Sequence, residues 1–298
     1  MEHRRAMLDG FQRAWGAGWS LPELRSIEMY TRKKRMTPPT AVIPPSCPES
    51  AGALHTLHLL ETALAAQAAG FADEIPSWQL YGQLPRRTLT ERLAAETKRW
   101  AEEELPKGLV RRWRERVDRL LARCPFTPEE LAPLDAASHR LLATHPHLAY
   151  GSTLLAVVVA PGFILYLQLG DGDLLTVSAE GEVERPILKD ARLIGNETTS
   201  LCSAQAWNEL QVRFQTLAGA PPALILAATD GYANAFRNEA GFQQVAQDLW
   251  ALLRDDDDAA VKPHLKGWLN EASQQGSGDD ITVELIWQPV QSPETPKP

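Results

Sequence analysis

Three acidic turns that contain glycine each adjoin a short apolar run in the second half of the chain. The apolar runs have the length of strands and cover residues 164–169, 223–228 and 281–287. The turns beside them contain Asp171, Asp230 and Asp279. Glycine lets the backbone bend sharply at a strand end, so carboxylates from different strands can meet there. Carboxylate oxygens are ligands for a hard cation, so this pattern predicts a site for Mg²⁺ or Mn²⁺.

Composition narrows the class of protein. Of the 298 residues, 44% are hydrophobic and 23% are charged, which is typical of a globular protein. The net charge of −8 disfavours a nucleic-acid binder. The N-terminus has no apolar signal core, and the longest apolar stretch is too short to cross a bilayer as a helix. The three cysteines lie far apart and fit a reducing compartment. We therefore expect a cytoplasmic protein that binds neither nucleic acid nor a membrane.

Hydrophobic periodicity predicts a helical first half, followed by strands and helices. A period near 3.6 predicts helices over 51–69, 88–123 with an interruption at 106–108, 127–142, 241–253 and 261–273. Thr127 and Glu130 have the spacing of a capping box, and Pro133 predicts a kink in the helix that they begin. Alternation predicts hairpins over 152–169 and 174–187, and strands over 211–216, 223–228 and 281–287.

Four short motifs, in this order, resemble those of the metal-dependent type-2C-like Ser/Thr protein phosphatases. They are Gly151-Ser152-Thr153-Leu154, Gly170-Asp171-Gly172-Asp173 in place of Gly-Asp-Ser-Arg, residues 224–231 ending in Thr-Asp-Gly, and Asp279-Asp280-Ile281-Thr282 in place of Asp-Asn-Ile-Thr. The resemblance covers about residues 90–288 and implies an α+β fold. That fold is a four-layer α-β-β-α arrangement, in which a β-sandwich is flanked by helices and has a two-metal site at one end.

The resemblance also implies an activity and roles for single residues. Asp230 and Asp279 fall on positions of metal-ligating aspartates, and Asp171 falls on the position associated with a third, more weakly held metal. The implied reaction is Mn²⁺- or Mg²⁺-dependent hydrolysis of phosphoserine or phosphothreonine by metal-activated water, with no part for a cysteine. The implied partners in signalling are a phosphoprotein substrate and a Ser/Thr kinase. We expect the carboxylates of Asp230 and Asp279 to lie within about 6 Å of each other.

The first 50 residues depart from this resemblance. The family has an early strand that ends in Asp-Gly, whose aspartate bridges both metals. Here Asp9-Gly10 follows a run too short for a buried strand and is read as a coincidental turn. Dense prolines predict that 1–50 is an atypical segment, disordered or truncated, with few residues in the main sheets. We expect a phosphatase domain over 51–288 and a disordered tail over 289–298.

The missing bridging carboxylate leaves two alternatives open. One is a catalytically inactive member that binds a phosphoprotein or a kinase partner, and the other is a scaffold that keeps the sandwich for stability alone. Two local features also stay open. Glu197 lies in a polar loop that either covers the site or is only a loop. His145 and His147 flank a proline and either approach a metal or lie in an exposed loop.

Overall fold

The computed structural model describes residues 25–30, 95, 97–160, 163–190, 198–217, 220–256 and 258–288. Residues 97–103 are helical. The helices that follow them are α1 (Leu105–Arg123), α2 (Pro128–Leu131), α3 (Ala136–Thr144), α4 (Ala206–Glu209), α5 (Asp230–Ala233), α6 (Glu239–Asp256) and α7 (Asp258–Ala272). The strands are β1 (Arg25–Tyr30), β2 (Leu154–Ala160), β3 (Phe163–Leu169), β4 (Asp173–Val177), β5 (Val183–Glu184), β6 (Gln211–Thr216), β7 (Leu224–Ala228) and β8 (Thr282–Trp287). A 3₁₀ turn covers Pro146–Tyr150, and a π-helical turn covers Ser273–Ser277.

The described residues belong to two compact units. Those of the first unit lie within 95–154 and 198–216, and those of the second lie within 25–30, 155–190 and 217–288. None of the helices in these ranges is both long and apolar enough to cross a membrane.

Helix α1 of the first unit has one apolar face, and this face is buried. Its buried residues follow helical spacing and include Leu109, Val110, Trp113 and Val117. The expected interruption at 106–108 was misplaced, because α1 already begins at Leu105 and contains those residues in its first turn. Proline is tolerated there, since the first amides of a helix have no partner within the helix.

The capping box that begins α2 is confirmed. The Thr127 Oγ1 accepts the Glu130 amide at 3.3 Å, and the Glu130 carboxylate accepts the Thr127 amide at 2.9 Å. The expected single helix over 127–142 was wrong, because α2 ends at Leu131 and α3 begins at Ala136. Asp135 caps α3 by accepting the amides of its first turn at 2.9 and 2.7 Å. Pro133, which lacks an amide proton, falls in the break between the two helices.

The second unit contains a five-stranded sheet with the order β1-β8-β7-β4-β5, in which each neighbouring pair is antiparallel. Strands β2 and β3 are neighbours in a second sheet. The strands of both predicted hairpins therefore form, although β5 has only two residues. The predicted strands β6, β7 and β8 are also confirmed to within one residue at each end.

Strand β1 lies in the N-terminal region, where the sequence analysis assigned no strand and expected few residues in the main sheets. All six of its residues pair with β8, from Arg25 opposite Trp287 to Tyr30 opposite Thr282. Among the strands that the structure describes, β1 is at the edge of the sheet, and an edge strand can be held by backbone hydrogen bonds without a strong apolar pattern. The rest of 1–50, including Asp9-Gly10, lies outside the described residues, as does 289–298, so the domain boundaries stay predictions.

The five-stranded sheet of the second unit is covered on both faces. One face packs against β2 and β3, where Ile164 and Tyr166 of β3 meet Leu174 of β4 and Ile225 of β7. The other face packs against α6 and α7 through buried residues that include Leu175, Leu226, Val283, Phe242, Leu249 and Leu265. Adjacent residues of β4 point to opposite faces, as strand geometry requires. The expected α+β fold with sheets packed against helices is confirmed.

Candidate functional site

Strands β4 and β7 bring Asp171 and Asp230 to the same end of the five-stranded sheet. In this antiparallel pair Asp173 lies opposite Ala228. Asp171 precedes β4 by two residues and Asp230 follows β7 by two residues, so both lie beyond this end of the pair. The turn from β3 begins at Gly170, whose φ of 104° is a conformation that glycine adopts at little cost. This glycine therefore allows the sharp turn that precedes Asp171.

The turn before β8 packs against the beginning of α5. The Thr229 amide donates to the Thr282 carbonyl at 3.0 Å, and the Thr282 amide donates to the Thr229 Oγ1 at 2.9 Å. A Cβ on Gly231 would lie 2.5 Å from the Asp280 carbonyl oxygen and 3.3 Å from the Asp279 Cβ. Glycine at 231 thus permits the close approach that brings the turn of Asp279 beside Asp230.

Asp230 is the centre of a cluster of like charges. Burial raises the pKa of Asp230, and the carboxylates of Asp171 and Asp279 raise this pKa further. The Gly231 amide opposes the shift, and Asp173 adds to it. We call Asp171, Asp173, Asp230 and Asp279 the acidic cluster. The three aspartates singled out from the sequence thus interact electrostatically, and a bound cation would relieve their repulsion.

The acidic cluster does not form a closed cage of ligands. Within the described ranges, no three His, Cys, Asp or Glu side chains are grouped so that they could hold one metal ion. Mg²⁺ commonly binds through one or two carboxylates and keeps several waters, so the charge and ligand chemistry of the cluster fit such an ion. The separation of about 6 Å between the carboxylates of Asp230 and Asp279 stays a prediction.

Local hydrogen bonds orient two of the carboxylates. The Asn234 Nδ2, one turn after Asp230 in sequence, donates to the Asp230 Oδ2 at 3.4 Å. The Asp279 Oδ1 accepts the backbone amide of Asp280 at 2.8 Å. Each bond still leaves the carboxylate with capacity for a further contact, since a carboxylate accepts about four hydrogen bonds.

Asp173 is the member of the acidic cluster that the sequence analysis did not single out as a site residue. Its side chain is only 1% exposed, and its Oδ1 accepts a hydrogen bond from Arg185 and lies 3.2 Å from the Lys189 Nζ. Its Oδ2 has no hydrogen-bond partner in the described part of the chain. The sequence does contain a signal for Asp173, because this acidic residue occupies the position of arginine in the family motif Gly-Asp-Ser-Arg.

Arg185 and Lys189 connect Asp173 to the first residue of α6. Both side chains also contact the Glu239 carboxylate. Burial alone would raise the pKa of Glu239, but the hydrogen bond from Arg185 and the charges of Arg185 and Lys189 hold this pKa below its ordinary value. We call these four residues the ion-pair network. Two cations balance two carboxylates in this network, and Asp173 belongs to both the acidic cluster and the ion-pair network.

Two other positions from the sequence analysis, His147 and Ser152, lie in the first unit. In the first unit, the His147 Nε2 lies 2.9 Å from the Asp118 Oδ1, and the His147 ring lies 6.5 Å from that of Trp113. These contacts favour a packing role for His147. The Ser152 carbonyl, just before β2, accepts the Leu201 amide at 2.9 Å. Glu197 lies outside the described residues.

Comparisons with known proteins identify the family. The protein phosphatase 2C family model matches residues 82–270, whereas no curated protein matches the chain. One similar solved structure is a bacterial serine phosphatase, with 13% identity and a TM-score of 0.37 over 52% of this chain and 66% of that chain. The chain therefore spans slightly less than two thirds of that protein.

Two further similar structures are of the Ser/Thr phosphatase PstP. The Mycobacterium tuberculosis PstP/Ppp structure has 13% identity and a TM-score of 0.44 over 90% of this chain and 99% of that chain. The PstP catalytic domain in complex with two manganese ions has 16% identity and a TM-score of 0.41 over 89% and 97%. These scores are too low to carry an argument about this chain. The family model, however, matches more than half of the chain, and the chain belongs to the protein phosphatase 2C family.

Proposed function

We propose that this protein hydrolyses phosphoserine or phosphothreonine in protein substrates with Mn²⁺ or Mg²⁺ held at the acidic cluster. The observation that carries the proposal is the meeting of Asp171, Asp230 and Asp279 at one end of the sheet, where burial and the charges of Asp171 and Asp279 raise the pKa of Asp230. Such repulsion costs free energy in the metal-free protein, and a divalent cation offsets it. The membership in a family of protein phosphatases supports a phosphoester substrate.

The three aspartates have two different roles in this proposal. Asp230 and Asp279 hold the cation, and Asp171 adds negative charge beside it. Asn234 and the Asp280 amide keep the Asp230 and Asp279 carboxylates oriented. When bound, a divalent cation makes water a better nucleophile at neutral pH and neutralises phosphoryl oxygens. In the proposed reaction, water would attack phosphorus directly, the bond from phosphorus to the serine or threonine oxygen would break, and the products would be inorganic phosphate and the free hydroxyl, without a covalent enzyme intermediate.

The proposal is tested by metal dependence together with two charge-removing variants. The assay is release of phosphate from a phosphothreonine peptide after chelation, with and without added Mn²⁺. Asp230→Asn and Asp279→Asn should each abolish turnover without unfolding the protein, because they keep the size of the side chain and remove its charge. Asp248→Asn is the matched control, since Asp248 is an exposed carboxylate of α6. Turnover in chelator, or turnover that survives both variants, would overturn the proposal.

The cellular setting belongs to the same proposal. We infer a cytoplasmic signalling role in which a Ser/Thr kinase supplies the phosphoprotein that this enzyme hydrolyses. The family match gives no support to the inactive alternative. A wild-type protein that binds Mn²⁺ and a phosphopeptide but releases no phosphate would nevertheless favour that alternative.

A further inference from the structure

The chain enters the turn of Asp279 through an unusual helix end. After α7, residues Ser273–Ser277 form a π-helical turn, and the Gly278 amide donates to the Ser273 carbonyl five residues earlier at 2.7 Å. Gly278 then takes a left-handed conformation with φ of 69°, immediately before Asp279. Short π-helical segments are rare and occur often at functional sites. The geometry of this turn therefore determines the position of Asp279.

Two serines of the π turn hold the backbone of Asp279. The Ser273 hydroxyl is buried and donates to the Asp279 carbonyl at 2.6 Å. The Ser277 Oγ accepts the Asp279 amide at 3.3 Å. Both peptide groups of Asp279 are thus bonded to the π turn, so a movement of this turn moves the carboxylate.

The π turn also packs against the chain just after α5. A Cβ on Gly276 would lie 2.7 Å from the Ala235 Cβ and 2.8 Å from the Ala235 Cα and carbonyl oxygen. Ala235 is close in sequence to Asp230, and the Asn234 amide donates to the Asp230 carbonyl at 2.9 Å. Gly276 therefore sets how near the segment of Asp279 comes to the segment of Asp230.

We propose that the π turn Ser273–Ser277 sets the separation between the carboxylates of Asp230 and Asp279, with Ser273 and Gly276 as positioning residues for metal binding. This inference rests on the proposed function, because it concerns the cation held by those two carboxylates. Neither residue has to touch the cation. The contact at Gly276 fixes one segment against the other, and the bond from Ser273 transmits that position to Asp279.

The test separates positioning from simple packing by measuring Mn²⁺ affinity and thermal stability on the same variants. Gly276→Ala should weaken Mn²⁺ binding about tenfold or more in calorimetric titration, a loss typical of residues that orient metal ligands. Ser273→Ala should weaken it less, because that change removes one hydrogen bond and adds no collision. Both should keep the circular dichroism of the folded protein.

A matched control lies in the preceding helix. A Cβ on Gly267 of α7 would meet no atom within 4 Å, so Gly267→Ala should leave Mn²⁺ affinity unchanged. The Ala235 Cα and carbonyl oxygen would each lie only 2.8 Å from a Cβ at position 276, so the collision in Gly276→Ala is with the backbone of Ala235 as well as with its side chain.

The possible outcomes decide separately on the inference and on the proposed function. Wild-type Mn²⁺ affinity in both Gly276→Ala and Ser273→Ala, with at most a lower melting temperature, would overturn the inference. The proposed function would then stand as long as Asp230→Asn still abolished turnover. If Gly276→Ala does not fold, Ser273→Ala decides alone. A wild-type protein that binds no Mn²⁺ would overturn both.

Discussion

Replacing Arg185 with methionine should destabilise the protein strongly, because it leaves the buried Asp173 carboxylate without its best partner. Arg185 is itself only 10% exposed and bonds to both Asp173 and Glu239. Removing one member of a buried ion pair typically costs about 3–5 kcal/mol of unfolding free energy. Lys189 remains 3.2 Å from the same oxygen of Asp173, but half of its side chain is exposed. Lys189 should therefore compensate in part for the missing arginine. This places the expected loss of unfolding free energy near the lower end of the range, at about 3 kcal/mol.

Urea denaturation followed by circular dichroism measures this loss from the midpoint and slope of the transition. Arg254→Met is the control, since Arg254 forms an exposed pair with Asp255 and its loss should have little effect. Adding Asp173→Asn to Arg185→Met removes the stranded charge and should recover part of the stability, which gives a double-mutant cycle. A loss below about 1 kcal/mol, or a double variant no more stable than Arg185→Met, would refute the reasoning.

Two further predictions concern pH and helix capping. Burial and the nearby carboxylates raise the pKa of Asp230, so the folded protein holds this proton more tightly than the unfolded chain does. In chelator, the contribution of Asp230 to the unfolding free energy should therefore fall as pH rises above the ordinary pKa of an aspartate, and the unfolding free energy of Asp230→Asn, measured by urea denaturation at each pH, should fall less. An identical pH dependence in both proteins would contradict this. Thr127→Ala should lower the unfolding free energy by about 1 kcal/mol, because the Glu130 amide loses its bond to the Thr127 Oγ1; no change in the urea midpoint would mean that α2 does not depend on this cap.

The sequence predicted the elements whose pattern is local. The hairpins, β7 and β8 follow from apolar runs next to turns that contain glycine, β6 follows from its alternation, and the cap of α2 follows from Thr127 and Glu130. The aspartates of the candidate site were found because each lies in a turn beside an apolar run. The break between α2 and α3 was missed because a proline inside a helical pattern either kinks or ends a helix, and the cap at Asp135 decided between them.

Other features depend on contacts between residues far apart in sequence. Strand β1 alternates only over four residues, Ser26–Met29, which is too short a signal on its own, and its partner β8 lies about 250 residues later in the chain. The pairing of Asp173 with Arg185 and Glu239, and the contact of Gly276 with Ala235, exist only once β4, α6 and the π turn are assembled. Periodicity and turn signals describe neighbouring residues, so they contain no information on these pairs.

The pairing of β1 with β8 also has a consequence for the order in which the chain folds. Tyr30 and Thr282 are partners, so about 250 residues must be synthesised between the two strands, and closing so long a loop is slow. On the ribosome, β7 and β1 both lack their shared neighbour until β8 emerges, which leaves their edges exposed to other chains. The sheet end that carries Asp230 and Asp279 is thus completed late, and a chaperone that shields these edges during synthesis should raise the yield of folded protein.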